Sequence, residues 1–300
     1  MEKGLILALL SSLSFAAGAV FIRRGVFEAG ESFTATAISV FIGVPFFAAA
    51  VFLNGDQSKL LSLSGHGFIL LGVAGIIHFV VGRLLTYNSY RLIGVNKAAI
   101  FGRTSPLYTV ILGFLFLNES LTISLIFGVL CIFAGAALVV TERKGVSQEK
   151  QRGDSRTEVE GIVTALAGAL CWGISPVLIK PAVEEVGSAS VAAFVSYVTA
   201  SVVMACFFFR RQHREQLVQL RFFAALIPLV ISGILVCIGH LLNYEALGCS
   251  PASMVTPIIS TNVVLIFLFS FLLNRNIEVF TLKAILGMAV TIIGTFLIFY

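Results

Sequence analysis

The stretch that decides the fold, residues 78–106, reads HFVVGRLLTYNSYRLIGVNKAAIFGRTSP. It places an imidazole and two guanidinium groups, those of His78, Arg83 and Arg103, in sequence that is otherwise apolar enough to lie in lipid. The two apolar blocks that contain it are each long enough to cross a bilayer, which takes about 20 residues. An arginine at membrane depth costs roughly 2.5–3.5 kcal/mol on insertion scales. We therefore expect a polar, water-accessible cavity around these side chains, inside a bundle of helices.

The composition extends this interpretation to the whole chain. Of its 300 residues, 58% are hydrophobic and 12% are charged, and the mean hydropathy is +1.01. Such a chain lacks the polar surface that a soluble domain of this size needs. We predict an all-α integral membrane protein with ten transmembrane helices. The ten apolar blocks are Gly4–Phe21, Thr34–Leu53, Phe68–Leu92, Asn96–Leu117, Leu121–Val140, Gly161–Ile179, Ser188–Phe209, Phe222–Tyr244, Ala252–Leu273 and Val279–Tyr300.

The chain also repeats itself, because small residues of the first and fifth blocks return in register in the sixth and tenth. We therefore predict two five-helix repeats, residues 1–140 and 161–300, joined by a polar linker at residues 141–160. An odd number of spans per repeat inverts the second copy, which is the plan of many secondary transporters with a central cavity. The return of the first pattern in mid-chain also argues against a cleaved secretory signal. The matched positions are Gly4, Ala8, Ser12 and Ala16 with Gly161, Ala165, Ala169 and Gly173, and Gly128 and Gly135 with Gly287 and Gly294.

The basic residues predict the orientation, since cytoplasmic connections carry the excess of Lys and Arg. Connections on the side of the linker hold 15 of the 20 basic residues, and those on the opposite side hold 3. We predict a multi-pass protein of the cell membrane, plasma or inner, with a cytoplasmic linker and both termini outside. Because the positive charge follows topology, the net charge of +5 does not indicate a nucleic-acid partner.

Two motifs resemble those of a known superfamily. Residues 169–173 read Ala-Leu-Cys-Trp-Gly and are followed by Lys180, while Pro106 is followed thirteen residues later by Glu119 in residues 117–122, Leu-Asn-Glu-Ser-Leu-Thr. The chain resembles the drug/metabolite transporter superfamily in its ten-helix EamA-type branch, although Asn118 replaces a glycine of that family's second motif. The resemblance implies two inverted five-helix units around a central cavity, and the movement of small metabolites or drugs, with export favoured by family analogy.

The polar residues within the apolar blocks are the candidates for a solute site. Guanidinium groups bind carboxylates and phosphates through paired N–H donors, so one or both arginines would hold an anionic group. Alternatively, the arginines pair with helix-end carbonyls or extend to the membrane interface. The predicted solute-binding residues are His78, Arg83, Tyr87, Asn88, Tyr90, Arg103, Trp172, His240, Asn243, Tyr244 and Asn262.

Several of these side chains have a second interpretation. His78 and His240 would take up a coupled proton, because imidazole titrates near neutral pH, or they would form an interhelical hydrogen bond. Trp172 would line the site, pack between helices or anchor an interface. Glu119 lies at a helix end, which favours capping over transport chemistry.

The function predicted is secondary transport of a small polar, perhaps anionic, solute by alternating access. An intramembrane enzyme and a channel stay open as alternatives. The sequence lacks HExxH, paired intramembrane aspartates and GxSxG, and its embedded charges are positive, which disfavours a cation channel. There is no ATP-binding GxxxxGK[ST] motif and no cysteine or histidine pair at metal-ligand spacing, so no cofactor is expected. The expected partners are the lipid bilayer and the solute, and the oligomeric state is open.

Overall fold

The computed structural model describes residues 2–29, 32–93, 95–141, 155–207, 226–273 and 282–299, and these ranges are helical apart from short turns. The helices of the first half are α1 Glu2–Ala29, α2 Ser32–Leu53, α3 Gln57–Ser62, α4 Gly65–Gly75, a π-helix at Ile76–Gly82, α5 Arg83–Ile93, α6 Val95–Gly102, α7 Ser105–Leu117 and α8 Ile123–Thr141. Those of the second half are α9 Ser155–Val186, α10 Ala189–Phe207, α11 Leu226–Cys249, α12 Ala252–Ser260, α13 Asn262–Leu273 and α14 Leu282–Phe299.

Six stretches within the described ranges are long and apolar enough to cross a membrane, and four shorter helices are also apolar. Helices suit this environment because they satisfy backbone hydrogen bonds within one segment. The all-helical membrane fold is therefore confirmed, while the count of ten spans and the inversion of the repeats stay predictions. The six stretches are Glu2–Phe21, Thr36–Leu53, Gly65–Tyr90, Arg156–Val186, Ala189–Phe207 and Ile227–Cys249, and the shorter helices are Ser105–Leu117, Ile123–Leu138, Ala252–Ile266 and Ile285–Phe299.

Apolar side chains lie on the outside of the bundle and polar side chains lie inside it, as a lipid environment requires. Phe114, Leu115 and Phe116 on α7 are exposed, whereas Ser11 and Ser12 on α1 are fully buried. Small hydroxyl residues let helices approach closely and donate across the contact. The exterior of the bundle is thus apolar, and much of its polar chemistry lies inside.

The main helix contacts join the two halves of the chain. α1 packs against α11, α5 and the π-helix pack against α9, α2 against α10, and α8 against α14. Ser11 Oγ donates to the Gly239 carbonyl at 2.8 Å, and Ser232 Oγ donates to the Gly18 carbonyl at 2.9 Å. Because residue numbers rise along α1 where they fall along α11, these two helices are antiparallel.

The small residues predicted to form ridges on α1 and α9 are indeed at helix contacts. A Cβ atom on Gly173 would lie 2.8 Å from the Ser105 carbonyl oxygen, so α7 approaches α9 at its backbone. Burial of the ridges is confirmed at all eight positions, which are Gly4, Ala8, Ser12, Ala16, Gly161, Ala165, Ala169 and Gly173.

The two glycine pairs matched in the sequence face each other across the contact of α8 with α14. A Cβ atom on Gly294 would lie 2.6 Å from the Gly128 carbonyl oxygen, and one on Gly135 would lie 2.5 Å from the Gly287 carbonyl oxygen. The pairing of 128 with 294 and of 135 with 287 makes α8 and α14 antiparallel. Helix backbones come this close only where side chains are absent.

Three of the predicted spanning blocks, Phe68–Leu92, Asn96–Leu117 and Ala252–Leu273, contain an interruption of the regular α-helix. The first contains the π-helix between α4 and α5. The other two break at short turns, one between α6 and α7 and one at Thr261 between α12 and α13.

Both turns are closed by a threonine hydroxyl. Thr104 Oγ1 donates to the Phe101 carbonyl at 2.7 Å, and Thr261 Oγ1 donates to the Ile258 carbonyl at 2.7 Å. These hydroxyls satisfy carbonyl groups that the interrupted helices leave without their usual partners. Pro106, which has no N–H group, lies in the first turn of α7, where a proline is tolerated.

The helix α9 begins inside the predicted linker, at Ser155. Residues 155–158 read Ser-Arg-Thr-Glu, the Ser-x-x-Glu order that is typical of helix starts. Glu158 lies in the first turn, where a negative charge is favourable. The last six residues of the predicted linker are therefore helical, residues 142–154 lie outside the described residues, and the division into two repeats and a linker stays a prediction.

One end of the bundle is described in detail, and we call it the N-terminal face. It consists of the start of α1 and the turns at residues 54–64, 118–122, 187–188 and 250–251. Gly4 belongs to it because a Cβ atom there would lie 2.8 Å from the Ser250 Cβ atom. Residues 142–154, 208–225 and 274–281 lie outside the description.

Candidate functional site

His78 and His240, which are 162 positions apart in the sequence, meet inside the bundle. Their ring centroids are 5.3 Å apart, with the rings nearly perpendicular at 86°. The Nδ1 atoms of both are buried and have no hydrogen-bond partner in the described part of the protein. His240 lies about 14 Å along α11 from its end at Cys249, at about 1.5 Å per residue, which is near the midplane of a bilayer core.

Trp172 joins this pair from α9. Its ring centroid is 6.4 Å from that of His78, and its buried Nε1 atom has no partner among the described residues. The indole fits here because Gly82 ends the π-helix: a Cβ atom on Gly82 would lie 2.9 Å from Trp172 Nε1. The structure thus brings together three of the predicted solute-binding residues, His78, Trp172 and His240, and their role in solute binding stays a prediction.

Other aromatic residues complete the surroundings and were missed by sequence reasoning. The ring of Tyr197 lies 4.2 Å from that of Phe79 and 5.8 Å from that of His240, and Phe15 lies 4.8 Å from His240. A lone tyrosine in the middle of the apolar helix α10 was the signal for Tyr197, whereas Phe15 and Phe79 differ in nothing from lipid-facing phenylalanines. We call His78, Phe79, Trp172, Tyr197 and His240 the ring cluster.

Arg83 lies beside the ring cluster at the start of α5. Its Cζ atom is 5.5 Å from the centroid of the Phe79 ring, and its Nη1 atom donates to Ser39 Oγ at 2.6 Å. Ser39 in turn donates to the Thr36 carbonyl at 2.8 Å. Among the described residues, the hydrogen-bond partner of this guanidinium is a side-chain hydroxyl of α2.

Arg103 and Asn262 form a second contact between the halves. Arg103 Nη1 donates to Asn262 Oδ1 at 3.0 Å. Arg103 begins the turn before α7, and Asn262 is the first residue of α13, so the bond joins two helix breaks. Ser12 on α1 lies on the same side of this junction, with its Oγ atom 3.2 Å from Thr261 Oγ1.

The space beside Arg103 is small. A crevice there has room for about one water molecule and is lined in part by Pro106, Leu107 and Ser260. The solute-sized central cavity predicted from the sequence stays a prediction.

The remaining predicted site residues lie on two helices. Asn243 and Tyr244 are buried, at 8% and 1% exposure. The predicted block ended at Tyr244, but α11 continues to Cys249, so both residues lie more than a turn inside the helix. Asn88 and Tyr90 are half-buried on α5. The side chain of Tyr87 lies outside the described residues.

Glu119 is a helix cap, but not of the helix that it follows in the sequence. Its Oε1 atom accepts from the Ala252 N–H at 2.7 Å, and its Oε2 atom accepts from the Ser253 N–H at 2.9 Å. The carboxylate therefore caps α12, a helix of the other half of the chain, where the positive end of the helix dipole favours negative charge.

Lys180 caps a helix of its own half. Its Nζ atom donates to the Leu247 and Ser250 carbonyls at 3.1 and 3.2 Å and to Glu184 Oε1 at 2.6 Å. A basic group is favourable at the end of α11 because the helix dipole is negative there. The basic residue of the Trp-Gly motif is thus structural in this protein.

An apolar exterior, helices of membrane length and buried polar groups shared by the two halves define a multi-pass membrane protein. The model of the EamA-like transporter family matches residues 2–141 and 159–300, so the chain belongs to this family of the drug/metabolite transporter superfamily.

Two further comparisons agree. The chain is 27% identical over 165 residues to the uncharacterized transporter YxxF of Bacillus subtilis strain 168, a match that covers 54% of this chain and 49% of that protein. The match thus spans about half the length of the relative. A solved crystal structure that is 17% identical superposes with a TM-score of 0.77 over 99% of this chain and 96% of that chain, which shows the same fold.

Proposed function

We propose that this protein is a secondary carrier that binds a small polar, anionic solute at the ring cluster and exposes it alternately to the two sides of the membrane. The observation that carries the proposal is the composition of the site: His78 and Arg83 come from one half of the chain, and Trp172 and His240 come from the other. A site divided in this way changes its access when the halves move relative to each other.

The contacts between helices support the inverted repeat that this mechanism needs. The predicted repeat matches α1 with α9 and α5 with α11. The contact of α1 with α11 therefore corresponds to the contact of α5 with α9, and both contacts are present. The matched helices α8 and α14 cross antiparallel through their own matched glycines. The two family matches, residues 2–141 and 159–300, agree with repeats near residues 1–140 and 161–300.

The chemistry of the site supports a polar solute. Buried polar atoms are normally hydrogen-bonded, and one without a partner costs about 1–3 kcal/mol. Four such atoms among the described residues, on His78, Trp172, Tyr197 and His240, lie in the ring cluster. Arg83 adds a positive charge at the edge of the ring cluster, which favours an anion.

Three further features belong to the proposal. The histidine pair carries a coupled proton, and the solute is exported. The N-terminal face points outward from the cell membrane.

The single tryptophan of the chain makes the proposal testable, because Trp172 lies in the site itself. Purified protein is titrated with succinate, benzoate and inorganic phosphate, with sorbitol as a neutral and choline as a cationic comparison, while tryptophan fluorescence is recorded. We expect at least one anion to change the fluorescence saturably. An anion that binds is then followed into proteoliposomes, where an accumulated unlabelled pool should drive uptake of labelled anion.

Arg83→Gln should weaken that binding about tenfold or more, since a charge-assisted hydrogen bond contributes about 1.5–3 kcal/mol. Arg156→Gln is the matched control, because Arg156 is exposed at the start of α9. Equal binding of anions, sorbitol and choline, or equal loss in both variants, would contradict an anion site at Arg83.

A further inference from the structure

We infer that Glu119 is a positioning residue for transport: its carboxylate clamps the start of α12 to α7 and thereby holds the N-terminal face closed. This inference rests on the proposed alternating access. It assigns a transport role to a residue that lies outside the ring cluster, and it identifies the face at which the carrier opens when the clamp releases.

The first step of the argument is that α12 is held at both ends by the first half of the chain. At its start, the Ala252 and Ser253 N–H groups donate to Glu119, at 2.7 and 2.9 Å. Just beyond its end, Asn262 accepts from Arg103, at 3.0 Å. α12 is only nine residues long and is separated from α13 by the turn at Thr261, so it can move apart from the rest of its span.

The second step is that the clamp is buried and strong. Glu119 is 8% exposed, and Ala252 and Ser253 are 0% and 1% exposed. Carboxylate bonds to N–H groups are stronger than neutral ones, and water competes poorly for buried donors. An amide in place of the carboxylate would keep one acceptor oxygen but set an NH2 donor against the other buried N–H group, which favours a conformation in which water reaches that group.

The third step is that the same face carries a second contact of the same type. Asp56, at the turn after α2, accepts from Ser188 Oγ at 2.7 Å and from Ser190 Oγ at 3.2 Å, at the start of α10. Nearby, Lys59 Nζ donates to the Gly187 carbonyl at 3.0 Å. Two acidic groups of the first half therefore hold helix starts of the second half at the N-terminal face.

The protein contains a natural reporter for opening of this face. All five cysteines are free thiols, and Cys237 is completely buried three residues before His240, on the same side of α11. Cys249 is exposed at the N-terminal face. In variants with a single thiol, Cys249 reports which side of the membrane this face occupies, and Cys237 reports whether a reagent from that side reaches the interior.

The experiment measures labelling of Cys237 by a negatively charged, membrane-impermeant maleimide added to one side of the membrane at a time. Glu119→Gln should raise the rate from the Cys249 side at least about tenfold, the equivalent of ~1.4 kcal/mol, and leave the rate from the other side unchanged or lower. Glu184→Gln is the matched control, because Glu184 lies near the same face and bonds Lys180 on its own helix.

A covalent lock tests the same idea in the other direction and does not depend on the folding of the glutamine variant. A Cβ atom on Gly113 of α7 would lie 3.9 Å from Ser253 Cβ, a separation suited to a disulfide. It would also lie 2.8 Å from Glu119 Oε2, so the cysteine displaces the carboxylate and the disulfide takes over its hold on α12. In the Gly113→Cys, Ser253→Cys protein, oxidation should lower Cys237 labelling from the Cys249 side at least about tenfold below that of the single-thiol parent, and a reductant should reverse this.

The inference is overturned if Glu119→Gln and Glu184→Gln label alike in folded protein, or if the oxidised lock labels as fast as its parent. These measurements need no solute. A failure of the clamp therefore leaves the anion-binding result standing, and a failure of anion binding leaves the labelling result standing.

Discussion

The crossing of α8 and α14 makes a quantitative prediction for Gly294→Ala. The added methyl group would lie 2.6 Å from the Gly128 carbonyl oxygen and 2.8 Å from the Ile132 backbone nitrogen, whereas ordinary contact begins at 3.4 Å. The two helices must therefore separate locally by about 0.6–0.8 Å. Backbone atoms on both sides cannot rotate out of the way as a flexible side chain would.

We expect this separation to cost about 1–3 kcal/mol, the usual range for an overpacked core. Alanine offsets part of that cost, because its helix propensity exceeds that of glycine by about 1 kcal/mol. Gly102→Ala isolates the propensity effect, since a Cβ atom on Gly102 would meet nothing within 4 Å. The expected quantity is therefore a free energy of unfolding that is about 1–3 kcal/mol lower for Gly294→Ala than for Gly102→Ala.

The assay is unfolding of each variant in mixed micelles with increasing sodium dodecyl sulfate, followed by helical circular dichroism and by Trp172 fluorescence. If Gly294→Ala proves as stable as Gly102→Ala, the close backbone contact between α8 and α14 is wrong, and with it the antiparallel pairing that supports the inverted repeat.

Two further predictions concern polar contacts between the halves. Arg103→Gln and Asn262→Leu should show a coupling free energy of about 0.5–3 kcal/mol in a double-mutant cycle on thermal unfolding, whereas additivity would mean that the bond contributes nothing. The pKa of Asp56 is lowered from its ordinary value of 3.8, first by the hydrogen bond from Lys59 and then by that from Ser188. A carboxyl group whose pKa is lower in the folded state than in the unfolded state stabilises the folded protein at a pH above its unfolded-state pKa. This stabilisation is lost as the pH falls through the folded-state pKa. Asp56→Asn should therefore lower the unfolding temperature at neutral pH and lose this effect below about pH 4, and a constant difference across that range would contradict the charged contact.

The sequence by itself determined the membrane class, the apolar blocks, the matched small residues and several members of the site. These features are local or periodic: a long apolar run, glycines at a fixed spacing, or a charged group in lipid-soluble sequence predicts its environment wherever its partners lie. The position of Glu119 at a helix end favoured a structural role, but the helix that it caps, α12, was not predictable from the sequence.

Only the tertiary structure decided which side chains meet. His78 and His240 are far apart in the sequence and lie 5.3 Å apart in space, and Tyr197 reaches them because Gly43 on α2 leaves room for its ring. Sequence reasoning missed the π-helix before Arg83 and the breaks at Thr104 and Thr261. At these points the regular helix gives up backbone hydrogen bonds, and contacts with other helices compensate for the loss. Propensity and period describe one helix at a time, whereas the site and the clamp on α12 exist only where helices from both halves pack together.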